Sequence, residues 1–168
     1  MKKVLLRGPV FSKSGYGEHT RQIYKYLKTK NVDVDIQPLN WGMTPWYLSE
    51  KSLDGLVGQM QNDCNFSQDK KYDVTIQNQL PNEWDPSLGT YNIGVTAGVE
   101  TDKCNPTWVT LNIQNMNKVL VPSEFTKKTL LNSGVDSTTS IEVVPESYYE
   151  ELVLENVDTL QSIKSLPT

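Results

Sequence analysis

The chain has 168 residues, 37% of them hydrophobic, and a formal net charge of −4, which suits one domain with a sizeable core. Its basic residues are scattered, so nothing supplies the basic surplus that nucleic acid as main partner would demand. Two cysteines, Cys64 and Cys104, without a CxxC pair argue against a disulfide framework or a zinc site and make a reducing compartment the default. The apolar start MKKVLLR is broken at Arg7, too early for a signal peptide, and no stretch reaches membrane-spanning length. A cytoplasmic protein is expected, touching a membrane peripherally at most.

In chain order, Val4 to Leu6 form a short apolar run bounded by Gly8-Pro9, which suits a buried parallel strand. Gly15 and Gly17 mark the turn into a helix whose Thr20, Ile23, Tyr24 and Leu27 fall at i, i+3, i+4 and i+7. Glu18 near its start and Lys25, Lys28 and Lys30 near its end complement the helix dipole. Val32 to Ile36 alternates apolar and acidic residues, the period of a half-buried or edge strand. A loop from Pro38 to Tyr47 carries Trp41 and Trp46. Leu53, Leu56, Val57 and Met60 then show helical spacing, weakened by Gly55 and Gly58.

Tyr72 to Gln77 reads as the third strand, Gln79 to Gly89 as a loop holding Trp84, and Thr90 to Val95 as the fourth strand. After the loop Thr96 to Asp102, Asn105 is an N-cap and Pro106 a first helical residue, with Val109, Ile113 and Met116 as the apolar stripe. Lys118 to Val121 is a short buried strand, Ser123 caps the next helix, and Gly134-Val135 ends it as a Schellman motif. Ile141 to Val144 is the sixth strand. The alternation predicts a Rossmann-like α/β domain of three layers over residues 1–150, with a mainly parallel sheet and helices on both faces. Beyond Pro145 the pattern stops: Tyr148 to Leu160 is acidic and compatible with a helix, and 151–168 is expected to be a linker or tail.

Open parallel sheets place ligands where strands feed helices at their carboxyl edge, so the loop at Gly15-Tyr16-Gly17 is the first candidate site. Its backbone amides suit a phosphate, and the two glycines equally suit plain turn chemistry. Thr20 stands where a dinucleotide fingerprint needs its third glycine, which disfavours a nicotinamide-dependent oxidoreductase, although Asp33 and Asp35 fall near the place of a ribose-binding acid. His19, the single histidine, is either a structural residue or an acid–base group. Glu100, Thr101 and Asp102 follow the fourth strand on the same edge. They form a solvated acidic loop, or hydrogen-bond a hydroxyl-rich ligand and support positive charge in a transition state. Trp41, Trp46 and Trp84 can stack on sugar rings or cap the core from outside.

Four runs together, GPVFSKSGYGEHTRQIYKYL, GVTAGVETDKCNPTWV, NKVLVPSEFTKKTLLNSGV and IEVVPES, resemble the amino-terminal domain of group 1 retaining glycosyltransferases with the GT-B fold. The resemblance runs from Lys3 to about Glu151, and its most specific parts are VPSEF…SGV and the ETD…P-x-W run from Glu100 to Trp108. It implies one of two Rossmann-like halves facing across a cleft, this half binding mainly the acceptor, with a nucleotide sugar as donor substrate and no bound metal. Gly15, Tyr16 and Gly17 would then lie on the donor-phosphate side, Glu100 and Thr101 would face the reacting sugars with His19 as accessory, and Trp41, Thr96 and Asp102 would hold the acceptor. The sequence departs from the family twice. Glu146-Ser147-Tyr148 follows Pro145 where relatives have His-Gly-Val-Asp, and the loop after the fourth strand offers Thr96 and Glu100 in place of a histidine.

The family's donor-holding basic and acidic residues belong to a second domain that this chain does not contain, so the resemblance implies that such a domain works with it in cis or in trans. The expectation is the acceptor-side half of a nucleotide-sugar-dependent glycosyltransferase acting on a carbohydrate or glycosylated acceptor, with negligible turnover alone because both walls of the cleft position the reactants. The alternative is a non-catalytic carbohydrate- or phosphate-binding module, or one subunit of a split enzyme.

Overall fold

The structure is a computed structural model and describes residues 2–148. The expected acidic helix beyond Tyr148 and the tail at 151–168 lie outside the described residues. Six strands form one sheet: β1 (Lys3–Gly8), β2 (Asp33–Pro38), β3 (Tyr72–Asn78), β4 (Gly89–Val95), β5 (Lys118–Val121) and β6 (Ile141–Val143). Four helices accompany them: α1 (Gly15–Thr29), α2 (Leu56–Asn62), α3 (Pro106–Leu111) and α4 (Glu124–Asn132). Short 3-10 turns occur at Pro81–Glu83 and Ile113–Asn115. Every strand pair is parallel, in the order β2-β1-β3-β4-β5-β6. The chain is a Rossmann-like three-layer α/β domain.

Residues paired across a parallel sheet share a face, so the register sorts the side chains into two layers. Leu6 pairs with Ile36 and Ile76, and Ile76 with Ile93, giving an apolar row on the α1 face. On the opposite face Leu5, Asp35, Thr75 and Asn92 stand in one row, and Arg7, Gln37, Gln77, Gly94 and Val119 in the next. Two apolar clusters result. Leu6, Val34 and Ile36 pack with Tyr24 of α1 and Leu56, Val57 and Met60 of α2. Val119 and Val121 pack with Trp84, Val109, Ile113, Leu130 and Val135 beneath α3 and α4.

Local signals in the sequence act as read at several element ends. The Asn105 side chain accepts the Thr107 amide at 3.0 Å, and Ser123 accepts that of Thr126 at 3.2 Å, capping α3 and α4. Gly134, at φ +94°, donates to Leu131 O, and Val135 donates to Leu130 O, which completes the Schellman pair. Three readings change. Leu53 sits in a turn at φ 53° and is outside α2, whose buried residues are Leu56, Val57 and Met60, because Gly55 at φ 83° starts the helix two residues later. The helix after Asn105 spans only six residues before Asn112 breaks it, and the 3-10 turn carries Ile113 into the core. Trp84 is buried against Gly94 beneath the sheet, and it caps the core where a sugar-stacking role was open to it.

Asp35 is also explained by its neighbours. It lies three residues short of the β2 end, is 4% exposed, and meets Lys70 Nζ at 2.9 Å, Tyr72 OH at 3.0 Å and Lys3 Nζ at 3.5 Å. Burial would raise its pKa, but these three partners outweigh burial and hold the carboxyl below its ordinary value. This acid is a structural counter-ion and does not stand at the carboxyl edge where a ribose would bind.

Candidate functional site

β1 leads leftward to β2 and β3 rightward to β4, so the connections diverge between β1 and β3, and the crevice lies above their carboxyl ends. Three loops meet there: residues 9–14 after β1, the stretch after β3, and the loop that starts at Thr96 after β4.

The loop after β1 is shaped by a buried arginine. Arg21, 2% exposed, donates from Nη1 to Val10 O and Ser12 O at 2.8 Å each, and from Nη2 to Glu18 Oε2 at 2.8 Å. A second strap comes from residues 44–47. Lys13 N donates to Pro45 O, Tyr47 N donates to Phe11 O, and Ser12 Oγ meets Thr44 Oγ1 at 2.6 Å. The Tyr47 ring lies beneath both Lys13 and Arg21. Ser14 is the N-cap of α1 and accepts the Gly17 amide at 3.1 Å. That amide is therefore committed, whereas α-helical bonding leaves the first-turn amides of Gly15 and Tyr16 without intrahelical partners.

The two glycines have different reasons. A Cβ on Gly17 would lie 2.1 Å from Ser12 O and 2.9 Å from Pro9 O, so this glycine lets α1 approach its own loop. A Cβ on Gly15 would meet nothing within 4 Å and would stand in open space. The missing third glycine is replaced from the other side. Gly8 on β1 gives room to Thr20, whose Oγ1 and Cγ2 would be 2.8 and 2.9 Å from a Cβ at position 8. Asn78 at the end of β3 donates from Nδ2 to Thr20 Oγ1 and to Tyr16 O, clamping the first turn of α1 onto the sheet.

Tyr16 ties the crevice together. Its ring lies 4.3 Å, centroid to centroid, from Trp41, at 30°. Its hydroxyl meets Thr96 Oγ1 at 3.0 Å and accepts the Ala97 amide at 3.0 Å. Burial pushes the phenol above its ordinary pKa, so it stays a neutral donor. Thr96 itself is buried, and its hydroxyl also accepts the Gly98 amide, so it sets the loop's shape from beneath. Gly15, Tyr16, Gly17, Trp41 and Thr96 thus come together at one place.

The remaining candidates stand apart. Glu100, Thr101 and Asp102 are exposed on a loop moored to α4, where Thr129 Oγ1 donates to Thr101 O and Asn132 Nδ2 to Asp102 O. Thr101 Oγ1 donates to Lys103 O within its own loop. Among the described residues, the contacts of the Tyr16 cluster are with Thr96, Ala97 and Trp41, and the Glu100 and Asp102 carboxylates are not among them. His19 points along α1 to Glu146, with Nδ1 3.3 Å from Oε1. The described residues hold no group of three or more His, Cys, Asp or Glu able to bind a metal ion.

Arg21 and Asn78 escaped the sequence reading. The buried stripe of α1 is Gly17, Thr20, Arg21 and Tyr24, turned about one position from the apolar stripe, with Ile23 and Leu27 only half-buried. An arginine three residues after Glu18 and beside a loop rich in backbone carbonyls was the available signal. For Asn78 it was a polar residue ending an apolar strand at the ligand edge.

Fold and crevice define a parallel α/β domain with a polar and aromatic site at its topological switch point. Comparison with known protein families, with curated proteins and with solved structures found no match to the chain. No helix among the described residues is long and apolar enough to cross a membrane.

Proposed function

We propose that the chain is the acceptor-side half of a nucleotide-sugar-dependent, retaining glycosyltransferase, completed by a donor-binding domain in cis or in trans. The observation that carries this reading is the Tyr16 junction. One residue joins the first turn of α1, whose Gly15 and Tyr16 amides have no intrahelical partner, to an aromatic platform with Trp41 and to the loop after β4 at the switch point. Open amides at a helix start favour an anionic group such as a diphosphate, and stacked aromatic rings favour the apolar face of a sugar. Together they suit a glycosyl ligand carried on phosphate. The resemblance in the sequence supports the same assignment, with Gly15 and Tyr16 beside the donor phosphates and Trp41 on the acceptor side.

A second reading, a non-catalytic carbohydrate- or phosphate-binding module, is favoured by one observation. The Glu100–Asp102 loop is held by α4 and His19 is engaged by Glu146, so among the described residues these candidate acid–base groups have partners outside the Tyr16–Trp41 platform. Calorimetric titration of the full chain with a nucleoside diphosphate sugar and with neutral oligosaccharides tests both. A half-site should bind weakly, with Kd on the order of 1 mM, and Trp41→Ala should weaken binding about tenfold, roughly 1.4 kcal/mol. Binding unaffected by that substitution would remove the platform from the site. Turnover of a nucleotide sugar by this chain alone would refute the half-site reading, and binding that no donor-domain polypeptide converts to transfer would favour the module.

A further inference from the structure

Residues 144–147 carry the chain from β6 back to α1. Val144 N donates to Val121 O, and Ser147 Oγ donates to Gln22 Oε1 at 2.5 Å. Between these two anchors, His19 Nδ1 stands 3.3 Å from Glu146 Oε1. His19 follows Tyr16 at i+3 on α1, and residues at that spacing are neighbours on one side of a helix. Burial is the chief reason that the Tyr16 phenol lies above its ordinary pKa, and the negative charge of Glu146 adds to the rise. The Glu146 carboxylate is therefore within electrostatic reach of the hydroxyl that ties the crevice together.

We propose that Glu146 is a hydroxyl-binding residue of the sugar site, accepting from a hydroxyl of the glycosyl ligand whose ring lies on the Tyr16–Trp41 platform. This rests on the sugar reading above and supplies the polar contact that the platform lacks. The Glu146 side chain is 45% exposed, against 18% for His19. An ionised carboxylate accepts through both oxygens; His19 stands at Oε1, and among the described residues Oε2 has no partner. There is room beside it, because His19, Gln22 and Ser147 are the polar residues lining an otherwise apolar groove of about 430 Å³.

The chemistry of the pairing is the second argument. Aromatic rings hold the apolar face of a sugar without choosing among its hydroxyls. A hydroxyl donating to a carboxylate makes a shorter and stronger bond than one donating to a neutral oxygen, so it fixes the ring's orientation. The same negative charge repels an anion, so Glu146 suits a neutral glycosyl group and keeps a phosphate away from its own position. It thereby separates a sugar subsite from the phosphate place at Gly15 and Tyr16. Glu146 also stands where the sequence departs from the His-Gly-Val-Asp run of the family it resembles, so the contact is particular to this chain.

Chemical-shift titrations of the full 168-residue chain test it, with the methyl glycosides of glucose, galactose and mannose as neutral probes and uridine diphosphate as the anionic one. Glu146→Gln keeps the shape of the side chain and removes its charge. Affinity for the glycoside bound best is expected to fall about fivefold, while uridine diphosphate binds as tightly as before or more tightly. The thermal unfolding midpoint should stay within about 2 °C, since an exposed ion pair contributes little to stability. A shifted midpoint with both probes weakened together would mean that the His19–Glu146 contact is only a strap, and overturns the proposal. Glycoside affinity that survives Glu146→Gln but falls in Trp41→Ala also overturns it, and leaves the sugar reading standing without Glu146. If the unaltered chain binds none of the three glycosides, the sugar reading itself falls and this proposal with it.

Discussion

A methyl group at position 17 has no room, whereas at position 15 it has nothing to touch. Gly17→Ala is therefore expected to push the β1–α1 loop off its strap and to lower stability by about 2 kcal/mol, within the usual range for overpacking. Gly15→Ala should be neutral or stabilise by up to about 1 kcal/mol, since Ala restricts the unfolded chain more than Gly. Urea unfolding of the two variants decides the matter, and equal midpoints would contradict this assignment of the glycines. Asp35 and Tyr72 contribute to stability at opposite ends of the pH range. The Asp35 carboxyl lies below its ordinary value of 3.8, so its contribution is present above that pH and is lost as acid titrates it. The Tyr72 phenol is pushed up to about 12, first by burial and then by its bond to Asp35, so its contribution is complete below pH 10 and lost as pH climbs through 12. Asp35→Asn should flatten the acid limb of a stability–pH curve and Tyr72→Phe the alkaline limb; unchanged limbs would show that neither partner matters.

At the scale of elements, α1 does three tasks that its apolar periodicity does not reveal. One side seats Tyr24 in the first core, a second carries Arg21 under the loop, and a third offers Ile23 and Leu27 to the apolar groove. Arg21→Met keeps most of the volume but leaves two carbonyl oxygens without their donor, and a buried orphan costs about 1–3 kcal/mol. A loss of about 3 kcal/mol is expected in denaturant unfolding, accompanied by faster amide exchange over 9–14; a loss confined to stability, with that loop still protected, would mean that the strap at 44–47 suffices. The same helix explains what could be read beforehand. Strand and helix order, the caps at Asn105 and Ser123 and the Gly134 terminus were legible because each depends on neighbours in sequence. The convergence of Tyr16, Trp41 and Thr96 at one point, the burial of Arg21 and the clamp from Asn78 were not, since they depend on sheet order, on how the loop after β1 folds back over α1, and on contacts up to 80 residues apart. The loop at Glu100–Asp102 shows the converse. Its position after β4 was read correctly, but Thr129 and Asn132 of α4 determine where it is held.

For the molecule as a whole, the two apolar clusters lie on opposite faces and toward opposite ends of the sheet. Between them, beneath β3 and β4, runs a polar seam. Asn92 Oδ1 accepts Thr75 Oγ1 at 2.6 Å, and Asn92 Nδ2 donates to Pro86 O and Gly89 O at 2.8 Å each. Gln77 joins Thr75 to the backbone of Asp85, and Arg7 reaches Gln77 and Glu83 O. Apolar contact alone would let each half of the sheet open separately, because neither cluster extends across β3–β4. The seam, together with the β3–β4 ladder, is what makes opening of one half expose unpaired groups in the other. Asn92→Ala removes the centre of the seam and orphans two carbonyls, so a loss of about 3 kcal/mol is expected. Its more telling consequence is in cooperativity. In the unaltered chain, slow-exchanging amides of β1 and of β5 should report one common opening free energy; in the Asn92→Ala chain those of β5 should open first. If both halves still open together in the variant, the strand ladder couples them unaided and the polar seam serves only to fill the layer beneath it.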